Sequence, residues 1–272
     1  MYRTLLSLLI CGLALVAQTP AGDKLSIAFR DPSRPGMVKM NMLHGSITVK
    51  THAGKDVLVE TETRAEKEKE IDVPDGAKGL KRLNATSSSI TLEEENNIVN
   101  VSMGWKSRND NVVIYVPSKT SLKLSTTNGR MISVEGVDGE MELNSTNGSI
   151  NLTDVSGSVV AHALNGKILA KFTRVDGNKP MSFSSMNGTI DVTLPSATKA
   201  NFKMQTNNGE IYTDFDVQMK PNAMNVEKSE PGGGRTRNRI HVESTTIGAI
   251  NGGGPEYSFK NFNGNIYIRK SN

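Results

Sequence analysis

Hydrophobic and polar residues alternate through most of this chain, and the alternation changes phase at a recurring Asn-Gly dipeptide. Apolar side chains stand four residues before the Asn and, in most copies, three residues after it, so the two sides have opposite parity. Period-two alternation predicts strands with one buried face, and a strand that keeps this face inward across a phase change must bend. Each dipeptide is therefore interpreted as a corner between two strands. The dipeptides are Asn128-Gly129, Asn147-Gly148, Asn165-Gly166, Asn187-Gly188, Asn208-Gly209 and Asn263-Gly264, with His44-Gly45 as a degenerate early copy.

The spacing of these corners predicts the fold. The first five dipeptides lie 19, 18, 22 and 21 residues apart, and a period of about 20 residues is typical of stacked structural repeats. If each dipeptide were a two-residue hairpin turn, the chain would instead form an antiparallel meander. The shared frame favours stacking, and so predicts an all-β, single-domain β-solenoid with coils of about 20 residues. A second, weaker corner series keeps step at Val137-Asp138-Gly139, Val155-Ser156-Gly157 and Val175-Asp176-Gly177.

Stacking would place the corner Asn side chains above one another, where their amides can hydrogen-bond along the stack. The Gly that follows is expected to supply the positive backbone angle of the corner. The sequence therefore predicts an inward Asn ladder as the main polar element of the core. Asn147→Ala or Asn187→Ala is then expected to cost about 1–3 kcal/mol, because a buried polar group loses its partner. The predicted ladder consists of Asn128, Asn147, Asn165, Asn187, Asn208 and Asn263.

Less regular segments are predicted around the repeats. Residues 1–22 have a basic start and a short apolar run, typical of a cleaved secretory signal, with an uncleaved N-terminal anchor as the alternative. The mature chain is then exported, periplasmic or extracellular at the cell surface, and has no transmembrane segment. The domain at 23–272 is predicted to contain irregular strands (23–111), regular repeats (112–217), a polar insert (218–238) and C-terminal coils (239–272). In the irregular part, strands are predicted at 24–29, 37–49, 57–63, 88–92 and 98–103, with an exposed loop at 64–82 and an acidic turn at Glu93-Glu94-Glu95.

Composition excludes several kinds of chemistry. The formal net charge of +4 is too small to predict nucleic-acid binding, which usually needs a clustered basic face. Aromatic residues make up only 5% of the chain, which favours a thin aliphatic core. The single cysteine, Cys11, lies in the predicted signal, so the mature chain has no disulfide or cysteine-based zinc site. The densest basic cluster is interpreted as a solvated loop or a guarded edge strand. It consists of Arg235, Arg237 and Arg239.

No metal or cofactor site is predicted. The His residues are scattered without ligand spacing and are interpreted as ordinary surface or core residues. Corner Asp residues could offer oxygen ligands to calcium, but turn chemistry is the favoured interpretation. The Gly runs at 232–234 and 252–254 lack the Lys-Ser/Thr ending of a phosphate loop and are interpreted as turns. The residues in question are His44, His52, His162, His241, Asp138, Asp154 and Asp176.

Outward carboxylates raise the alternative of glycan cleavage, since a glycosidase needs two carboxylates about 5–9 Å apart. Asp191, Asp214 and Asp216 could meet on one outer face. No aromatic platform or cleft signal accompanies them, so the chain is predicted to be non-enzymatic, with no catalytic residues. The only Trp, Trp105, is expected to cover an open end of the core, with contact to a sugar or a partner as the alternative.

This pattern resembles the bacterial putative-adhesin family of unknown function, whose members share the Asn-Gly-x-Ile β-repeat. The resemblance begins with the strand and Pro at 112–117 and ends with the Gly-rich turn at 248–254 and Asn263-Gly264-Asn265-Ile266. It covers roughly 38–270 and is strongest over 112–215. It implies an adhesin-like binding or structural module of the cell envelope, with an unknown envelope or surface protein or a glycan as partner. The alternatives are a carbohydrate-active enzyme on the same scaffold, and a sensor or assembly module beside membrane-anchored neighbours.

Overall fold

The computed structural model describes residues 24–62, 90–104, 111–220 and 245–271. These residues form a mixed β-sheet of 18 strands and contain no helix, so the all-β prediction is confirmed. The predicted signal with Cys11, the loop at 64–82, Trp105, His241, the Arg cluster and the Gly run at 232–234 lie outside the described residues. In chain order the strands are β1 (Lys24–Ala28), β2 (Gly36–His52), β3 (Asp56–Glu62), β4 (Ile90–Glu95), β5 (Ile98–Met103), β6 (Asn111–Pro117), β7 (Thr120–Glu135), β8 (Asp138–Ser145), β9 (Ser149–Asn165), β10 (Ile168–Val175), β11 (Met181–Asn187), β12 (Ile190–Pro195), β13 (Ala200–Asn208), β14 (Ile211–Thr213), β15 (Gln218–Lys220), β16 (Thr246–Ile250), β17 (Glu256–Asn263) and β18 (Ile266–Ser271).

The corners divide the sheet into two faces. Strand segments that precede a corner pair with one another and, with the strands that extend their sheet at either end, form what we call the pre-corner face. Segments that follow a corner form the post-corner face in the same way. The pre-corner face runs in space through β4, β5, β2, β7, β8, β9, β11, β17, β13, β16 and β15. The post-corner face runs through β1, β3, β6, β2, β7, β9, β10, β12, β18 and β14.

Parallel pairing joins equivalent positions of successive repeats. Ile132 pairs with Ile150, Ile150 with Ile168, and Ile168 with Ile190. The registers join different repeats: residues 138–145, before Asn147-Gly148, pair in parallel with 156–163, and residues 149–153, after it, pair in parallel with 131–135. A hairpin at each dipeptide would require antiparallel pairing of its two flanking segments, so the hairpin alternative is wrong within the described ranges. The antiparallel strands lie at the ends of the faces. The fold is therefore β-solenoid-like, with stacked corners.

Chain order and spatial order differ at the C-terminal end. β17 pairs with β11 on one side and with β13 on the other, so Phe259 lies between Phe183 and Met204. β18 lies in the same way between β12 and β14, and Ile266 pairs with both Ile190 and Ile211. The last strands are thus inserted into the stack and do not follow its end.

Several local expectations are corrected. β2 runs through His44-Gly45 and pairs with β7 along its length, so 36–52 belongs to the stack and not to an irregular region. Glu93 to Glu95 lie in β4, and the turn that joins β4 to β5 is formed by Asn96 and Asn97, with φ of 55° and 66°. In the second corner series, Val175 is expected opposite Val155 but pairs with Gly157. The buried residue opposite Val155 is Phe172.

Side chains from both faces form one buried cluster, which is mostly aliphatic. The few aromatic residues are concentrated in its C-terminal part. Phe183 and Phe259 stack with ring centroids 5.4 Å apart, and Phe202 meets Phe259 edge-on at 5.6 Å. No helix that could span a membrane occurs in the part of the chain that the structure describes.

Candidate functional site

The corners are built from glycines that touch one another across the stack. A Cβ atom at Gly166 would lie 2.1 Å from the carbonyl oxygen of Gly148, and one at Gly188 would lie 2.1 Å from that of Gly166. Of the seven corner glycines, all of them in the described ranges, only Gly45 and Gly264 have positive φ, at 105° and 135°. The expected role of positive φ is therefore wrong at most corners. Gly is needed there because neighbouring coils leave no room for a side chain.

The corner Asn side chains are joined by hydrogen bonds. The Nδ2 of each donates to the Oδ1 of its neighbour, as from Asn147 to Asn128 at 2.9 Å and from Asn187 to Asn165 at 2.8 Å. Three further bonds of this kind run from Asn165 to Asn147 at 3.0 Å, from Asn263 to Asn187 at 2.8 Å and from Asn208 to Asn263 at 2.9 Å. The row has the spatial order Asn128, Asn147, Asn165, Asn187, Asn263, Asn208. All six residues are exposed, so the prediction that they face the core is wrong. The chain bends at the Asn, so the last inward side chain before a corner is the one two residues before the Asn.

At several corners a buried polar side chain stands two residues before the Asn, whereas Ala163 takes this place before Asn165. Ser185 Oγ donates to the carbonyl oxygen of Gly166 at 3.0 Å, and Asn261 Nδ2 donates to that of Gly188 at 2.7 Å. Ser185 and Asn261 therefore satisfy corner carbonyls from inside the core, while the hydroxyls of Thr126 and Ser145 have no hydrogen-bond partner among the described residues. The sequence carried a signal for them, because this position is mostly small or polar, but parity alone assigned the same inward direction to the Asn. The buried members are Thr126, Ser145, Ser185 and Asn261.

Asn165 is expected to stabilise the fold less than a buried ladder residue would. It donates to Asn147 and accepts from Asn187, but water can replace both partners at an exposed corner. Asn165→Ala is therefore expected to lower the free energy of unfolding by about 0.5–1.5 kcal/mol, measured by urea denaturation. The matched control is Asn144→Ala, whose side chain has no hydrogen bond to the described residues, with a change within about 0.5 kcal/mol. A loss of about 3 kcal/mol for Asn165→Ala would mean that the ladder is buried.

Beside the ladder, the outer side of the pre-corner face carries three apolar side chains on neighbouring strands. They precede the paired residues Asn165, Asn187 and Asn263, so they lie one above another in the stack. Two of them are strongly exposed, at 45% and 44%, and the third is half-buried. A polar row runs along their other side, where His162 Nδ1 and Ser184 Oγ are 2.7 Å apart. We call these three residues the corner stripe: Leu164, Met186 and Phe262.

A second exposed cluster lies on the outer side of the post-corner face. The rings of Tyr212 and Tyr267 stack with centroids 5.2 Å apart, and the Arg269 guanidinium lies 5.2 Å from the Tyr267 centroid. Arg269 binds Asp191 through two hydrogen bonds of 2.9 and 3.1 Å. Asp214 Oδ1 accepts from the Lys270 backbone N–H at 2.7 Å. The structure thus brings Asp191 and Asp214 to the same β18 segment, but each carboxylate is already held by a donor.

Three groups near the C-terminal strands have shifted pKa values. The hydrogen bond and charge of Asp191 raise the pKa of Arg269, because they stabilise the charged guanidinium. The hydrogen bond to Glu210 raises the pKa of Tyr212. Burial, with a smaller contribution from Asp176, raises the pKa of Tyr257 to about 12, because the phenolate would be poorly solvated in the core.

The corner Asp residues each meet a basic side chain. Asp138 binds Arg174 Nη2 through both oxygens at 2.8 Å, and Asp154 lies 3.1 Å from Lys171 Nζ. Asp176 Oδ2 lies 3.6 Å from Lys179 Nζ, and its Oδ1 accepts from the Asn178 backbone N–H at 3.0 Å, which is turn chemistry. These are ion pairs on the surface and have little effect on stability.

The His residues are also dispersed. His44 pairs with Asn128 in the first corner, and His52 Nε2 lies 2.8 Å from the Asp56 carbonyl oxygen in a turn. His162 lies on the outer side of β9. In the described ranges, no three His, Cys, Asp or Glu side chains come close enough to hold a metal ion.

One family model matches part of the chain, and three solved structures are similar to it. Residues 122–250 match the family model described as Toastrack DUF4097. No curated protein matches the chain significantly. Among solved structures, it is similar to a putative cell adhesion protein from Clostridium sporogenes ATCC 15579, with 13% identity, 92% of this chain and 100% of that chain covered, and a TM-score of 0.41.

Two further similarities are weaker. A putative adhesin from Bacteroides fragilis NCTC 9343 has 10% identity, covers 93% of this chain and 98% of that chain, and has a TM-score of 0.28. A putative adhesin from Parabacteroides merdae ATCC 43184 has 7% identity, covers 93% and 97%, and has a TM-score of 0.28. TM-scores this low carry no functional argument. The match of residues 122–250 to the Toastrack DUF4097 family model confirms the resemblance that the Asn-Gly repeats predicted.

Proposed function

We propose that this chain is an exported, non-enzymatic binding or structural module of the cell envelope, which binds an envelope or surface partner through its flat outer surface. The scaffold would be one β-solenoid with coils of about 20 residues. Export, to the periplasm or the cell surface, is supported by the basic start and apolar run in residues 1–22. The corner stripe is the observation that carries the proposal.

The corner stripe is favoured as a binding surface by its continuity. Single exposed apolar residues are common, but a contiguous row rimmed by polar groups is typical of an interaction site. Met186 and Phe262 stand on strands that are directly paired, and strands in a sheet are about 4.8 Å apart. The Asn ladder lies on one side of the stripe, and the row with His162, Ser184 and Lys260 lies on the other.

The shape of this surface favours a large partner. Small-molecule sites are concave and enclose most of the ligand, whereas the stripe lies on the outer side of paired strands. The ladder hydrogen bonds and the corner contacts hold the backbone beneath the stripe. A rigid, extended surface suits another protein or a polymer of the envelope, since little ordering is needed on binding.

Loss of the corner stripe is expected to weaken binding to the envelope. The double variant Met186→Asp, Phe262→Asp should reduce binding to envelope particles from the source organism at least about tenfold, because charges would enter the centre of the interface. Cosedimentation at increasing particle concentration measures the affinity. The matched control is Leu169→Asp on the post-corner face, where the side chain is also 42% exposed. The control should bind like the parent, and all variants should melt alike. Parent-like binding by the double variant would contradict the proposal.

The second candidate function is a carbohydrate-active enzyme, a polysaccharide lyase or hydrolase. It is favoured by the stacked Tyr212 and Tyr267 beside Asp191 and Asp214, since aromatic rings and carboxylates are typical of glycan sites. The hydrogen bonds from Arg269 and from the Lys270 backbone count against free catalytic carboxylates. Turnover of a polysaccharide panel that is lost in Asp191→Asn would replace the binding proposal with this one.

A further inference from the structure

The C-terminal strands occupy a slot within the stack. We call residues 245–271, which contain β16, β17 and β18, the C-terminal clip, and the place between β11–β12 and β13–β14 the acceptor slot. The clip reaches both sides of β13, because β16 pairs with it antiparallel and β17 pairs with it parallel. On the other wall of the slot, β17 and β18 pair with β11 and β12. The clip therefore joins two coils that precede it in the chain.

Contacts in the slot are made through the core and at the surface. Four large clip side chains are fully buried between the two walls. At the corner, Asn263 donates to Asn187 at 2.8 Å and accepts from Asn208 at 2.9 Å. Outside, Arg269 binds Asp191 on the first wall. The buried side chains are Tyr257, Phe259, Ile266 and Ile268.

The two walls of the slot have the same sequence frame. Phe259 is paired with Phe183 on one wall and with Met204 on the other. Ile190 and Ile211 are related in the same way through Ile266. If the clip leaves, the walls can pair directly in an unchanged register, apolar position on apolar position. The slot itself is then left without a pair of unsatisfied strand edges, which is the usual cost of removing a central strand. Outside the slot, among the described strands, only β15 and the edge of β13 that β16 covers lose their partner.

The slot also selects the sequence of its occupant. Phe259 fits between the rings of Phe183 and Phe202. The amide of Asn261 satisfies the carbonyl oxygen of Gly188, and a Cβ atom at position 264 would lie 2.4 Å from the same oxygen. An occupant thus needs a buried aromatic residue, a buried amide and a Gly at fixed spacing. The same segment of a second copy meets all three requirements.

The clip is connected to β15 through 24 residues, 221–244. A chain of that length can span at most about 80 Å, which is enough to reach a neighbouring molecule. We propose that the acceptor slot is a strand-acceptor site, and that a second copy of this chain can supply residues 245–271 to it in trans. Exchange of an identical element between copies is a low-cost route to association, because every contact of the closed monomer is kept. This proposal is independent of the partner binding proposed for the corner stripe.

A disulfide test distinguishes exchange from a permanently closed monomer. Ser184 and Lys260 are paired across the slot at outward positions, three residues before Asn187 and Asn263. Neighbouring paired residues lie within disulfide reach. In a Cys11→Ser background, one copy would carry Ser184→Cys, and a second, affinity-tagged copy would carry Lys260→Cys. The two full-length proteins are mixed, incubated and oxidised, and the linked heterodimer is quantified on a non-reducing gel.

The matched control pair is Ser125→Cys and Asn144→Cys, which are paired at the same frame position on β7 and β8, away from the slot. The slot pair is expected to give at least about tenfold more linked heterodimer than this control, increasing with protein concentration. When one copy carries both Ser184→Cys and Lys260→Cys, the two cysteines should form an intramolecular disulfide. This variant establishes that the geometry permits the bond. An intramolecular link combined with control-level heterodimer would overturn the proposal. Failure of the intramolecular link would also overturn it, since the clip would not occupy the slot.

Discussion

Gly166→Ala is expected to lower the free energy of unfolding by about 3 kcal/mol, because the corner has no room for a Cβ atom. The added atom would lie 2.1 Å from the carbonyl oxygen of Gly148 and 2.5 Å from its carbonyl carbon. Both atoms belong to the main chain of the neighbouring coil and have no rotamer through which to move away. The clash could be removed only if the coils separated. Separation would weaken the backbone hydrogen bonds between coils, such as the one that the Asn165 N–H donates to the Thr146 carbonyl oxygen at 2.8 Å.

The matched control is Gly177→Ala, at a turn of the second corner series. A Cβ atom there meets no heavy atom of the described residues within 4 Å, and the φ of Gly177 is not positive. This substitution is expected to leave the stability unchanged or to raise it by about 0.4–1 kcal/mol, because Ala restricts the unfolded chain. Urea denaturation followed by circular dichroism measures both variants. Equal stability of the two would mean that the corner coils are not in contact at Gly166.

The strands and their stacking were predictable from the sequence, because burial of one side of a strand imposes period-two alternation and each repeat preserves it. The direction of the Asn side chains was not predictable in this way. Parity places Ser185 and Asn187 on the same side, and only the bend at the corner separates the buried Ser from the exposed Asn. The reason for Gly at the corners was also not predictable, because the close approach between Gly148 and Gly166 arises only when neighbouring coils stack.

The spatial order of the last coils could not be predicted from the repeat frame. Asn187, Asn208 and Asn263 belong to repeats with the same pattern, so each could pair with either of the others. The order is decided by long-range packing, such as the contact of Phe259 with Phe183 and Phe202. The corner stripe escaped sequence analysis for a related reason. Its three members are far apart in the chain and look like isolated exposed residues until the coils are stacked.

Phe259→Ala is expected to be among the most damaging substitutions in the C-terminal clip, with a loss of about 3–5 kcal/mol in the free energy of unfolding. Phe259 is fully buried, stacks on Phe183 and meets Phe202 edge-on. Removal of its ring would leave a cavity that two main chains held by β-pairing cannot easily close. The cavity would lie between the walls of the acceptor slot, so the clip should also be released more often.

The matched control lies in the same strand. Phe262→Ala removes an identical side chain that is 44% exposed, and is expected to change the free energy of unfolding by no more than about 1 kcal/mol. Urea denaturation compares the two variants, and hydrogen exchange at Ile266 and Ile268 reports release of the clip separately from global unfolding. Similar losses for both variants would contradict the inserted position of β17. If only Phe259→Ala lowers the free energy of unfolding strongly, and exchange in β18 becomes faster, then Phe259 holds the clip in the stack. The strand β17 would then carry this residue together with Phe262, which belongs to the surface proposed to bind a partner.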